Sequence, residues 1–337
     1  NHVGVDRLSA ILEGLGDVSF SQAEQQLQDY GEALANASLK EIPDGEYRFT
    51  DYMDDDGQGQ QDIPISILVA VTDGHIAIDF KGTAPQVAGN INCPLPVAAA
   101  AVFYVFRCLM AENVPVCASL FRHIQLQAPL GSLVNARRPA AVSAGNVETS
   151  TRITDVVLGA LAQALPDRIP AASHGSMNNL AMGSVGDENG NGAWSYYETI
   201  GGGMGGSNKH QGLHCVQTHM TNTLNTPIEV LESEYPIRVD RYAVRAGSGG
   251  IGRQNGGDGI IREMTFLEPA QATLLTERRR IAPWGIEGGE AGQCGENRLN
   301  GNLLDGKVEL AVKAGDQLSI FTPGGGGYGE PLSCKKP

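Results

Sequence analysis

The sequence predicts an α+β fold, with a mixed helix and sheet region first and a β-rich, glycine-turned region last. Three observations carry this expectation. Two helix-patterned segments open the chain, a hairpin and two further helices follow, and after about residue 240 short strands alternate with G-G and N-G breaks. The division is therefore placed there, giving residues 1–240 and 241–337, although no Pro/Ser linker marks it. At 337 residues the chain is long enough for one large or two ordinary domains.

The elements follow in order. "VDRLSAILEGLG" and "SQAEQQLQDYGEALANASLKEIP" read as helices, the second opened by Ser21 and stopped before Pro43. In "IPISILVAVTDGHIAIDF", Ile65, Ile67, Val69 and Val71 share one strand face, Asp73-Gly74 turns the chain, and Ile76, Ile78 and Phe80 return. The apolar run Val97 to Ala111 contains Arg107 and is too short to span a bilayer, so a buried helix is expected and no membrane partner. Ile153, Val156, Val157, Ala160, Leu161, Ala164 and Leu165 form a helical stripe, capped by Thr149, Ser150 or Thr151 and halted at Pro166. Beyond residue 240, "GIIREMTFLE", "ATLLTERR" and "KVELAVKAGDQLSIFTP" read as strands.

Composition removes some function classes. A formal charge of −14 disfavours a nucleic-acid partner, which selects basic surfaces. The one acidic cluster, "DYMDDDGQGQQD" (Asp51 to Asp62), has Gly59 where a calcium loop needs glycine. Ile65 stands where that loop needs its closing Glu, so a solvated turn is expected. Six cysteines at irregular spacing, with no C-x-x-C, read as reduced thiols in a cytoplasmic protein.

The chemistry-bearing stretch is "THMTNTLNTPIE", Thr218 to Glu229, preceded by "GGGMGG" at Gly201 to Gly206. It is too polar for a core strand, so its side chains need hydrogen-bond partners. As a strand it would place His219, Thr221, Thr223 and Asn225 on one face, with Asn222 opposite. "TPIE" has the form of a capping box, with Thr226, Pro227 and Glu229 at N-cap, N1 and N3, and a helix N-terminus favours anions. The reading is a polar wall on which His219 carries a proton or donates to a developing anion. The bland alternative is a loop whose Thr and Asn side chains satisfy their own backbone. No helical His pair with a nearby carboxylate suggests a metal. Three G-x-G-x-x-G matches (Gly201, Gly247 and Gly324 onward) lack the strand, helix and acidic residue of a dinucleotide site and read as structural turns. "SHGSMNN" lacks a G-x-S-x-G elbow, and the arginines of "TERRR" (Thr276 to Arg280) read as surface charge.

Several long strings carry a resemblance. "YYETIGGGMGG", "THMTNTLNTPIEVLESEYPIRVDRY", "GSGGIGRQNGGDGIIRE", "LLTERRRIAPWGIEGGEAG" and "TPGGGGYGEP" occur in order, after "PAAVSAGNVETSTRITDVVLGALAQALPDRIPAASHGSMNN" and "IAIDFKGTAPQVAGNINCPL". Together they resemble the hydantoinase B/5-oxoprolinase family, C-terminal portion, over nearly the whole chain. The resemblance implies an ATP-dependent hydrolase opening a lactam or hydantoin ring, with ATP handled by an A-type partner subunit. Acetone and acetophenone carboxylase subunits look similar and supply the alternative, a third being a non-catalytic scaffold piece. The family's upstream "NDPY...GGTHLPD" and "AHH" strings, which look metal-binding, are missing here. The expectation is thus a piece of a longer subunit, inactive alone, with any divalent metal held upstream and none here. Within this chain His219, Thr221, Asn222 and Asn225 are the catalytic candidates. Asn178, Asn179, Glu198 and Gly203 are the substrate-binding candidates, each at or beside a glycine-bearing turn.

Overall fold

A computed structural model describes residues 1–186 and 192–331. Of the six cysteines, the five within this range are free thiols, and Cys334 lies outside the described residues.

Helices α1 (His2–Leu15) and α2 (Asp17–Leu39) are separated at Gly16, whose φ of 78° no β-carbon-bearing residue adopts cheaply. Strands β1 (Gly45–Asp55) and β2 (Gln61–Thr72) pair antiparallel, β3 (His75–Asp79) turns back on β2, and β4 (Ile124–Gln127) adds parallel to β3. Asp73 and Gly74 have φ of 48° and 77°, the paired left-handed conformations of a type I′ hairpin turn. Ile63, Ile65, Ile67, Val69 and Val71 alternate inward along β2, as the period of two requires.

Helices α3 (Leu95–Leu109) and α4 (Ser150–Ala162) pack together, and α4 also lies against β1 and β2. Their apolar residues, including Val102, Val105, Val157 and Leu161, close the first core. The expected amphipathic helix is α4, yet every residue in it is buried, Arg152 and Asp155 included. Its start also differs from expectation. A single π turn, Gly145–Thr149, leads into it, and no side chain caps it. Ser150 and Thr151 instead donate backward to the carbonyls of Asn146 and Glu148.

The remaining strands build two antiparallel sheets. β5 (Asn179–Ser184), β6 (Trp194–Thr199), β9 (Ala270–Leu275) and β12 (Lys307–Val312) form one, ordered β12-β9-β5-β6. β7 (Ile237–Arg245), β8 (Gly259–Phe266), β10 (Glu296–Leu299), β11 (Asn302–Leu304) and β13 (Gln317–Phe321) form the other, ordered β11-β10-β13-β8-β7. Leu180, Met182 and Leu274 from the first join Ile260, Met264 and Ile320 from the second in one core. The protein is therefore α+β, as its sequence pattern predicts. The change in composition near residue 240 does not separate sheets, because β5 pairs with β9 across it.

The glycine clusters are not isolated turns. Segments 201–206, 247–257 and 324–329 lie backbone against backbone, with Gly203 N donating to Pro323 O, Gly206 N to Gly326 O and Gly325 N to Gly257 O. A β-carbon on Gly203 would stand 1.9 Å from the Gly257 carbonyl oxygen. Glycine is required here for close approach between chains of main-chain atoms. Among the described residues no helix is long and apolar enough to cross a membrane.

Candidate active site

Strand β1 and helix α4 bring acidic and basic groups to one buried place, and the segment after β9 and Lys307 at the start of β12 supply the rest. Arg278 donates from Nη2 to Asp51 Oδ2 (2.7 Å) and to Asp155 Oδ2 (2.6 Å). Arg152 reaches Asp51 Oδ2 at 3.4 Å and Glu277 Oε2 at 3.2 Å, and Lys307 Nζ closes on Glu277 Oε1 at 2.5 Å. Asp54 accepts the backbone N–H groups of Arg280 (3.2 Å) and Ile281 (3.1 Å). Burial raises Asp51, but the Arg278 and Arg152 charges outweigh it and hold the carboxyl at about 2. Such charges persist in an interior only when paired and hydrogen-bonded. The exposed turn expected after the acidic run does form, at residues 57–60 between β1 and β2. The carboxylates leading into it and the arginine run expected on the surface lie inside: Asp51, Asp54 and Asp56 are buried, as are Glu277 and Arg278. Only Arg280 of the three arginines is exposed, beside Asp62.

Glu148, on the π turn, sits at the edge of this network. Its Oε1 accepts from Met177 N (3.0 Å) and Asn179 Nδ2 (2.7 Å), while its buried Oε2 has no partner. Burial and the nearby Glu277 carboxylate push its carboxyl up to about 8. The group is therefore held protonated in neutral solution.

His219 lies at the other end. Its backbone takes a φ of 56°, uncommon for a non-glycine residue, and its side chain is 10% exposed. Nε2 stands 3.6 Å from Asp155 Oδ1, and neither atom has another partner. Burial raises Asp155, but His219 and Arg278 outweigh it and keep it ionised. A chain of Arg278, Asp155 and His219 therefore runs from the interior to a cavity of about 340 Å³. Tyr104, Cys108, Ser173, Met204 and Gln217 line this cavity with His219. The Tyr104 ring meets the His219 ring edge-on at 6.1 Å. Behind the wall, His174 is fully buried, with Nδ1 3.4 Å from Thr218 Oγ1. Burial, then the neighbouring His219, lowers it to about 4, so it stays neutral.

The other candidates from the sequence have different duties. The run from Thr218 is irregular coil, so the proposed strand face does not exist. Thr221 Oγ1 donates to the Thr218 carbonyl at 2.6 Å and accepts from its N–H at 3.0 Å, the self-satisfied loop. Asn222 is exposed. Asn225 donates to Glu198 Oε2 (3.2 Å) and to the Thr199 carbonyl (3.0 Å). Glu198 is buried against Arg262, at 3.2 Å. Asn178 bonds Ile200 O and Arg279, Asn179 bonds Glu148, and Gly203 belongs to the glycine stack. The capping box is absent too: α5 (Ile228–Glu234) starts after Pro227 and has no side-chain cap. Of the eight, His219 alone lines this cavity.

Sequence reasoning missed Asp155, Arg278 and His174. The available signal was Arg152 and Asp155, the two charged residues of this helix, three positions apart and so neighbours on its surface. Two other hollows hold less chemistry. One of about 740 Å³ on the β5/β6/β9 face has no titratable lining group except Tyr196 and Tyr197. In another, of about 570 Å³, Lys307, Arg280 and Arg298 are already paired with carboxylates. Among the described residues no three His, Cys, Asp or Glu side chains gather as a metal-holding group, so the residues present do not fit a divalent ion with a full protein ligand set.

The model of the hydantoinase B/oxoprolinase family matches residues 1–331. The chain belongs to that family. It is 39% identical over 334 residues to an uncharacterized protein of Methanocaldococcus jannaschii, covering 98% of this chain and 57% of that protein. It is 37% identical to 5-oxoprolinase 1 of Arabidopsis thaliana, covering 98% of this chain and 26% of the plant protein. Among solved structures it is similar to the ATP-dependent caprolactamase from Pseudomonas jessenii, with a TM-score of 0.84 at 25% identity, over 98% of this chain and 60% of that one. The family member described here thus spans less than two thirds of the length of these relatives.

Proposed function

We propose that this chain contributes the ring-opening half of an ATP-dependent cyclic-amide hydrolase, working with an A-type subunit that handles ATP. The observation that carries the reading is His219 on the wall of the 340 Å³ cavity, backed by Asp155 and Arg278. The names of two relatives, 5-oxoprolinase 1 and ATP-dependent caprolactamase, supply the reaction class.

Lactam hydrolysis adds one water across a C–N bond. The water oxygen bonds to the carbonyl carbon, one of its protons must leave, and the ring nitrogen must gain one as the bond breaks. A single group that accepts the first proton and returns the second serves both steps. In His219, Nε2 faces Asp155, so Nδ1 is the ring nitrogen left for an occupant of the cavity. The Asp155 carboxylate favours the imidazolium that forms between the two steps. Val105, Leu109, Leu158 and Met204 offer an apolar bed for a carbon ring, while Ser173 and Gln217 offer polar contacts. In this reading the partner moves the terminal phosphoryl group of ATP to the amide oxygen and ADP leaves. Once water has added and the C–N bond has broken, the acyl phosphate that results takes up a second water and releases inorganic phosphate and the carboxylate. The reaction is written without a metal in this chain, because among the described residues no three ligating side chains gather.

The test uses the complete subunit reconstituted with its partner. His219→Asn suits the left-handed backbone at that position while removing the titratable ring. It is expected to lower kcat for 5-oxoproline or caprolactam by roughly 10²–10⁴-fold with the complex still assembled. Turnover within about twofold of the wild type overturns the assignment of His219.

A further inference from the structure

Outside this cavity, on the first sheet, a second pair of histidines stands together. His75 opens β3 and His123 immediately precedes β4. The parallel register aligns Ile76 with Ile124, and Ile76 N donates to the His123 carbonyl at 2.8 Å. Because both isoleucines point into the core, the residue before each points outward, and the two rings meet on the surface. Their Nδ1 atoms are 3.3 Å apart, with ring centroids at 4.8 Å.

We infer that His75 and His123 form a binding site for a late first-row divalent metal ion such as zinc, nickel or copper, with Glu32 of α2 as its outer carboxylate. Three observations support this. Two imidazole nitrogens bound tetrahedrally at 2.0–2.1 Å from one ion sit about 3.3 Å apart, which is the separation already present. Glu32 Oε1 lies 3.2 Å from His123 Nε2, which fixes the Nε2–H tautomer and leaves the Nδ1 lone pair facing His75. The Glu32 charge is itself held by Arg122 Nη1 at 2.6 Å, so the carboxylate is oriented before any ion arrives.

The remaining coordination has room. A hollow of about 220 Å³ at the pair is lined also by Thr72, Gln125 and Arg122, whose charge is paired with Glu32, and it leaves space for water to complete the shell. Without metal, the His75 ring donates Nδ1–H to His123 Nδ1. His75 is exposed, so it moves that proton to Nε2 and into contact with water, freeing the second lone pair. No net proton is released and no bond beyond two nitrogen–metal contacts forms. An ion there ties α2, β3 and β4 together. Among the described residues no third His, Cys, Asp or Glu joins the group, so the site has two protein ligands and is selective for imidazole-loving ions over magnesium or calcium.

Isothermal titration of the whole chain with zinc, nickel or copper chloride tests this, with cobalt absorption as a reporter of geometry. One ion should bind per chain at this site, and His75→Ala/His123→Ala should lose that binding while keeping the wild-type circular dichroism. Glu32→Gln, which touches no metal, should weaken binding by about 10–100-fold. The ion should also raise the wild-type melting temperature and leave that of the double variant unchanged. An unchanged isotherm in the double variant places the ion elsewhere and overturns the site. So does an absence of binding by all three ions up to millimolar concentration.

Discussion

Replacing Glu148 by Gln should make the protein more stable in alkaline solution, and the size of the effect follows from where the carboxyl sits. One oxygen accepts two N–H donors and the other is buried without a partner, with the Glu277 carboxylate nearby. Burial and that neighbour move the carboxyl from 4.5 in the unfolded chain to about 8 in the fold. Between those values the native state binds a proton that the unfolded state releases. Stability is therefore fully present below pH 4.5 and is lost as pH rises toward 8, by about 1.4 kcal/mol per pH unit. The ceiling is about 5 kcal/mol, and about 3 kcal/mol is reached at pH 7. Glutamine keeps the acceptor for Met177 and Asn179 and carries no titratable proton. Equilibrium urea unfolding of both proteins from pH 4 to pH 9 isolates the term as a difference, cancelling other groups. The variant should match the wild type within about 1 kcal/mol at pH 4 and gain steadily above it. A difference that stays flat across this range refutes the claim that the fold holds Glu148 protonated.

Other expectations concern the same neighbourhood. Asp155→Asn removes a fully buried partner of Arg278 and should cost about 3–5 kcal/mol in urea unfolding, as well as lowering turnover through His219. His174 is lowered from 6.5 to about 4, so the unfolded chain binds its proton first. Its contribution is present above pH 6.5 and lost as pH falls to 4, by up to about 3 kcal/mol, and His174→Gln should flatten that acid limb. Gly203→Ala forces a methyl to 1.9 Å from the Gly257 oxygen, and a shift of the stacked backbone should lower the melting temperature sharply or leave the protein insoluble. Soluble Gly203→Ala with an unchanged melting temperature removes the close-packing argument.

What the sequence determined by itself was local in origin. The alternation Ile65, Ile67, Val69, Val71, the Asp73-Gly74 turn and the spacing from Ile153 to Leu161 all state a period within a few residues, and those elements formed. Long strings of residues also carried the family. His219 was legible as a candidate because a histidine amid short polar side chains and glycines is unusual in a core. Only the tertiary structure decided what stands around it. Asp51 and Arg278 are 227 positions apart, and Asp155 and Arg278 are 123 apart, yet their bonds fix which charges lie inside. A charge in sequence reads as solvated because desolvation is costly. It is tolerated within only where folding delivers an opposite charge, and no local period announces that meeting. The same holds for the charged pair of α4 and for the glycine stack, where the partner is a distant segment of the same chain.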